Sequence, residues 1–179
     1  DSSVGYVDGF YSCDGIAGLT SLTATSIFAQ EILLDSGWSL WSTYIDPEDD
    51  NIATIFSTIV DDVIMAKDGE GNVYWPQFGL NSIGDLAQAS GYQVKMDNQN
   101  TLSVSGALIP SSYGFNLNNG WGIIGYLHQD CFNVDDMMNS IIDNLIIMKD
   151  VDGNVYWPAF DLNSIGNMCP GNGYRIKTN

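Results

Sequence analysis

Side chains able to do chemistry are few in this chain and unevenly placed. His128 is the sole histidine, so a catalytic triad or a histidine-based zinc site has one residue to build on. Asp61 and Asp62 could supply a glycosidic carboxylate pair, but adjacent helix positions do not converge on one substrate, and Asp62 becomes Asn144 where the motif recurs. No catalytic residue is assigned. Asp68-x-Glu70-Gly71-Asn72 and Asp150-x-Asp152-Gly153-Asn154 resemble fragments of a calcium loop. They lack the third oxygen position and the distal glutamate of an EF-hand, and read first as turns. Asp68, Glu70, Asp150 and Asp152 therefore offer at most a low-coordination Ca²⁺ site, and no other cofactor is expected. Tyr74, Trp75, Tyr156 and Trp157 lie in strand-like segments near Asn81 and Asn163. An exposed aromatic there would stack on a sugar ring while the amide bonds its hydroxyls; a ring capping a small core is the simpler reading.

The elements that must position these residues occur twice. Lys67 to Lys95 returns as Lys149 to Lys177, offset by 82 positions, with 17 of 29 residues identical. This divides the chain into an arm, residues 1–18, and two repeat units, residues 19–97 and 98–179. Each unit opens with β-branched and aromatic segments around Gly37-Trp38 or Gly120-Trp121, which read as strand, turn, strand. Ile52, Ile55, Phe56, Ile59 and Val60 follow at helical spacing, matched by Val134, Met137, Met138, Ile141 and Ile142. Short strands then run through a Gly-Asn turn into Val-Tyr-Trp-Pro, and Gly-Tyr-x-(Val/Ile)-Lys closes each unit. The expected fold class is α+β: two tandem copies of a small, mostly antiparallel sheet with one helix each, arranged β-β-α-β-β-β. Residues 97–100 are a short linker, so the units should sit close together.

Cysteine usage distinguishes the units. Cys131 and Cys169 have no counterparts in the first copy, where Asp49 and Ala87 align, and two cysteines gained together suggest a bridge. Three unrelated thiols is the alternative, and an odd total leaves at least one thiol free or paired outside the chain. Charge is lopsided: 22 acids against 5 bases, formally −17. Too few cations remain to neutralise phosphates, which argues against nucleic-acid binding, and anionic membranes should repel the chain. No apolar run is long enough to insert in a bilayer. Four of the five cations are the matched pairs Lys67/Lys149 and Lys95/Lys177, and specific carboxylates are their expected partners, setting register or an interface.

The pattern Gly-Trp, a helix, Lys-Asp-x-x-Gly-Asn-Val-Tyr-Trp-Pro-x-Phe-x-x-Asn-x-Ile-Gly and a final Gly-Tyr-x-(Val/Ile)-Lys resembles a repeat module of secreted and surface-layer-like bacterial proteins and of marine virus structural proteins. The resemblance spans residues 19–179 and implies an extracellular, cell-surface or virion-surface location without enzymatic activity. It transfers no site residues. The expected role is thus a structural or adhesive module of an extracellular protein, fibre, surface layer or virion, with other protein subunits, chiefly copies of itself, as partners. The rival is a carbohydrate-binding module. The arm, with Val4, Tyr6 and Phe10 imperfectly alternating, is expected to dock on a neighbouring subunit or preceding domain with Cys13 available for contact.

Overall fold

The structure, a computed structural model, describes residues 26–179, so the arm at 1–18 and Cys13 lie outside the described residues. In the first unit the strands are β1 (Phe28–Leu34), β2 (Gly37–Trp41), β3 (Ile45–Pro47), β4 (Val63–Lys67), β5 (Val73–Trp75), β6 (Leu80–Asn81) and β7 (Tyr92–Met96). In the second they are β8 (Asn100–Leu108), β9 (Gly120–Ile124), β10 (Phe132–Asn133), β11 (Leu145–Lys149), β12 (Val155–Trp157), β13 (Leu162–Asn163), β14 (Asn167–Met168) and β15 (Tyr174–Thr178). Helices α1 (Ile52–Ile55) and α2 (Val134–Met138) precede β4 and β11.

Helix content corrects the α+β expectation. The fold is mostly β, with 44% strand and 14% helix in four sheets. The apolar stripe is real, but α1 holds four residues and α2 five, each followed by a 3₁₀ turn. Thr54, Ser57, Thr58, Asn139 and Ser140 interleave the stripe. Their side chains compete for backbone hydrogen bonds or lose rotamer freedom in a helix, so the α-helix does not propagate. One turn suffices to bury Ile52, Phe56 and Ile59, because the 3₁₀ continuation still returns a side chain to the same face every three residues. Asn51 and Asn133 cap the starts, accepting from the Ala53 and Asp135 N–H groups at 3.1 and 2.8 Å.

Two five-stranded antiparallel sheets repeat one order, β2-β7-β4-β5-β6 and β9-β15-β11-β12-β13. Alternation selects their inner faces: Tyr92, Val94 and Met96 are buried on β7, and Tyr174, Ile176 and Thr178 on β15. Burial pushes the Tyr92 phenol up to about 12. Its hydroxyl accepts the Ala87 N–H at 2.7 Å, as that of Tyr174 accepts the Cys169 N–H at 2.9 Å, tying each long loop to its closing strand.

The third sheet does not respect the repeat boundary. Its order is β1-β8-β3, so the opening strand of unit 2 is the central strand of a sheet otherwise built from unit 1. Leu102 and Val104 of β8 join Ile32, Leu34, Trp41 and Phe56 in one core, which sandwiches α1 between two sheets. Gly106 permits the close pairing with β3, because a Cβ there would collide with the backbone of Asp46 and Pro47. Asp62, at the end of the unit 1 helical segment, accepts the side-chain amides of Asn98 and Asn100 at 3.0 and 2.8 Å. Those bonds lower its pKa and fix the linker's exit.

A reciprocal junction holds the units together. Ser42 N–H donates to Gly171 O at 3.0 Å and Gly173 N–H to Leu40 O at 3.1 Å. Gly125 N–H donates to Ala89 O at 2.7 Å and Gly91 N–H to Ile123 O at 3.2 Å. Each bond of the first pair has its repeat counterpart in the second, so the units meet about a pseudo-twofold axis through like surfaces.

Candidate functional site

The outer faces of the two five-stranded sheets carry the chain's cations. Gln93 and Lys95 on β7 point away from the core, since their neighbours point into it. Trp38 lies directly across from Lys95, and Lys67 directly across from Gln93. Lys67 Nζ stands 5.5 Å from the Trp38 ring centre and Lys95 Nζ 6.0 Å. In unit 2, Trp121 pairs with Lys177, and Lys149 with Arg175. Lys149, Arg175 and Lys177 surround the Trp121 ring at 5.8, 5.3 and 5.9 Å. These five residues are every lysine and arginine in the sequence. Their partners are indole faces, where a cation meets the negative side of the ring quadrupole. Both tryptophans stay open to solvent, Trp38 at 44% and Trp121 at 46% exposure.

The two faces meet. A crevice of about 80 Å³ is lined by Asp68, Gly69 and Gln93 of unit 1 and by Trp121, Ile123 and Arg175 of unit 2. Its floor is narrow because Gly69 packs on the next unit's backbone, where a Cβ would stand 2.9 Å from Ile123 N. A continuous aromatic and cationic surface thus crosses the junction of an otherwise acidic molecule. Sequence reasoning found the parts, the matched lysines and the Gly-Trp pairs, but not their union. Trp38 and Lys95 are 57 positions apart, and only strand pairing makes them neighbours.

The sugar-stacking candidates divide. Tyr74 and Tyr156 are buried at 6% and 5% exposure and belong to the two cores. Burial also raises both phenols, Tyr156 to about 12. They offer no contact surface, because strand alternation turns the tyrosine of each Tyr-Trp pair inward. Trp75 and Trp157 do turn outward, half-buried, edge-on against the exposed rings of Phe78 and Phe160 at 4.6 and 4.4 Å. Asn81 and Asn163 are engaged locally: they accept the Gly84 and Gly166 N–H groups at 2.9 Å, and donate to Asn51 and Asp135. They anchor a loop to a helix start.

The turn aspartates are engaged too. Asp68 Oδ1 accepts the Glu70 and Asn72 N–H groups, and Oδ2 accepts the Asn72 amide at 2.6 Å. Asp150 treats Asn154 the same way. Glu70 and Asp152 lie on the exposed rims of these turns. Among the described residues no three His, Cys, Asp or Glu side chains gather in a metal-holding group. His128 stands edge-on to Phe132 at 5.1 Å and beside Tyr126 at 5.5 Å, an aromatic cluster at the surface.

Cys131 and Cys169 are joined in a disulfide with a Cα separation of 4.2 Å, just inside the usual span of about 4.4–6.8 Å. The bridge flanks the β10–β14 pair, staking the start of α2 to the loop before β15.

No helix among the described residues is long and apolar enough to cross a membrane. No family model matches the chain, and no curated protein or solved structure shows significant similarity to it.

Proposed function

We propose that this chain is a non-enzymatic structural and adhesive module of an extracellular protein, fibre, surface layer or virion, working through the paired tryptophan–cation faces. One observation carries the reading: a chain of formal charge −17 places all five of its cations around two exposed indoles on adjoining outer sheet faces. Such a face is complementary to an acidic surface, and the remainder of the same molecule is acidic. Copies therefore present both halves of a contact, with the aromatic rings supplying dry area and the cations register. The disulfide fits an oxidising compartment, and the resemblance to secreted and surface-layer-like modules points the same way. Sedimentation across protein concentration tests this: association should appear at low salt, weaken as salt screens the faces, and be lost in Trp121→Ala/Arg175→Gln. A wild-type chain that stays monomeric at every concentration and salt would refute self-contact.

The second reading, a carbohydrate-binding module, is favoured by the openness of the two indoles. Its ligand would carry carboxylate or sulfate groups for the cations and a sugar face for the ring. On a glycan array, acidic polysaccharides should be retained and neutral ones not, and Trp38→Ala with Trp121→Ala should remove retention while leaving the thermal midpoint nearly unchanged. Equal retention of neutral glycans would dismiss it.

A further inference from the structure

The pseudo-twofold junction makes a demand that unit 2 leaves unmet. Unit 1 is completed by β8, which lies between β1 and β3. The twofold counterparts of β1 and β3, residues 111–117 and 128–130, are not strands. Yet 111–117 carries a strand's alternation, Tyr113-x-Phe115-x-Leu117, aligned with Gln30-x-Ile32-x-Leu34 of β1. In β1 the first two of these are 4% exposed; Tyr113 and Phe115 are 41% and 44% exposed. Beside them lie two connected hollows. One, of about 300 Å³, is lined by Tyr113, Phe115, Ile124, Met138, Ile141 and Met168. The other, of about 310 Å³, runs along Leu127 to Asp130 beside Ser111. Together they form a slot with the place of β8 vacant among the described residues.

We propose that residues 19–26 of this same chain fill that slot as its central strand. At the repeat offset of 82, Leu19-Thr-Ser-Leu-Thr-Ala-Thr-Ser-Ile27 aligns with Thr101-Leu-Ser-Val-Ser-Gly-Ala-Leu-Ile109, the sequence of β8 and the residue after it. The aligned isoleucines report the difference between the units: Ile109 is 5% exposed and Ile27 78%. Carrying the β1–β8 register across the axis sets Leu22 opposite Tyr113, as Val104 faces Gln30, and Thr20 opposite Phe115, as Leu102 faces Ile32. The second pair conserves volume, since a larger ring on one strand meets a smaller side chain on the other.

The occupant is the chain's own segment and not that of a second copy, because the junction is reciprocal. A twofold contact uses the like surfaces of both units at once and does not propagate to a third. The strand related to β8 by that axis therefore precedes β1 in the same polypeptide. Each unit then completes the other, and the slot supplies an apolar site for strand addition. The inference stands independently of what the tryptophan faces bind.

Hydrogen exchange on the full chain tests it. Amides of 113–117 and 128–130 should be protected in the wild type. Leu22→Asp should speed their exchange about tenfold or more while the β1–β8 pairing keeps its protection. Ser21→Asp, one residue along on the opposite strand face, should change nothing. Equal effects of the two substitutions, or none from either, would overturn the proposal. Should Leu22→Asp unprotect the entire chain, Leu22→Cys/Tyr113→Cys in a Cys13→Ser background decides. A disulfide within one chain supports the strand, whereas a link between two chains, or no link, overturns it.

Discussion

Reduction of the Cys131–Cys169 bond should lower the stability of unit 2 by about 4 kcal/mol, the chain-entropy value for a loop of this length, given a sequence separation of 38. For a chain of this size that corresponds to a fall in midpoint on the order of 10 °C. The effect should be local. The loop encloses α2, β11, β12 and β13, so the unit 2 core around Met138, Met148 and Tyr156 loses its tether, while unit 1, which has no cysteine among its described residues, does not. Unit 2 also has only one complete sheet over α2 where unit 1 has two, which leaves it less core to offset the loss. Calorimetry with and without reductant, repeated on Cys131→Ser/Cys169→Ser, measures this. An unchanged midpoint in both would mean the bridge constrains nothing that unfolding releases.

Trp41→Ala should cost unit 1 about 3–5 kcal/mol, the usual range for truncating a buried aromatic. Trp41 has no exposed surface. Its ring packs edge-on against Phe56 at 5.3 Å and tilted against Tyr92 at 5.5 Å, joining the one-turn helix to the sheet. Its backbone also lies against the next unit, where a Cβ on Gly173 would stand 2.8 Å from Trp41 O. The indole Nε1–H is buried without a partner. Trp41→Phe should therefore cost under about 2 kcal/mol, because the smaller ring leaves a gap but removes an unsatisfied donor. Denaturant titration of both variants beside Trp38→Ala, which should stay within about 0.5 kcal/mol, separates the buried indole from the exposed one. Comparable losses at the two positions would contradict the core described here.

The exposed indoles and the buried one arise from a single short strand, Gly37 to Trp41, and its counterpart Gly120 to Ile124. Such economy explains why the site was hard to foresee. A tryptophan in an alternating segment is legible as a strand residue, but its face depends on which neighbour covers the sheet. For Trp41 that neighbour includes β1 and β8, from opposite ends of the repeat boundary.

The sequence by itself determined the local and repeated features. The offset of 82 set two like units, Gly-Asn turns and the Pro76 and Pro158 stops placed the short strands, and the inward alternation of the closing strands was readable as written. Cysteines confined to one copy pointed to the bridge. These features rest on backbone chemistry within a few residues, or on a comparison of one copy with the other. Helix length was misread because the apolar stripe reports which face is buried, not how far the α-helix runs through β-branched and amide side chains. Only the tertiary structure decided that β8 crosses into unit 1, that the matched lysines lie on tryptophans, and that the units meet reciprocally. Each of those depends on pairing between residues tens of positions apart, which loop closure permits but local propensity does not specify.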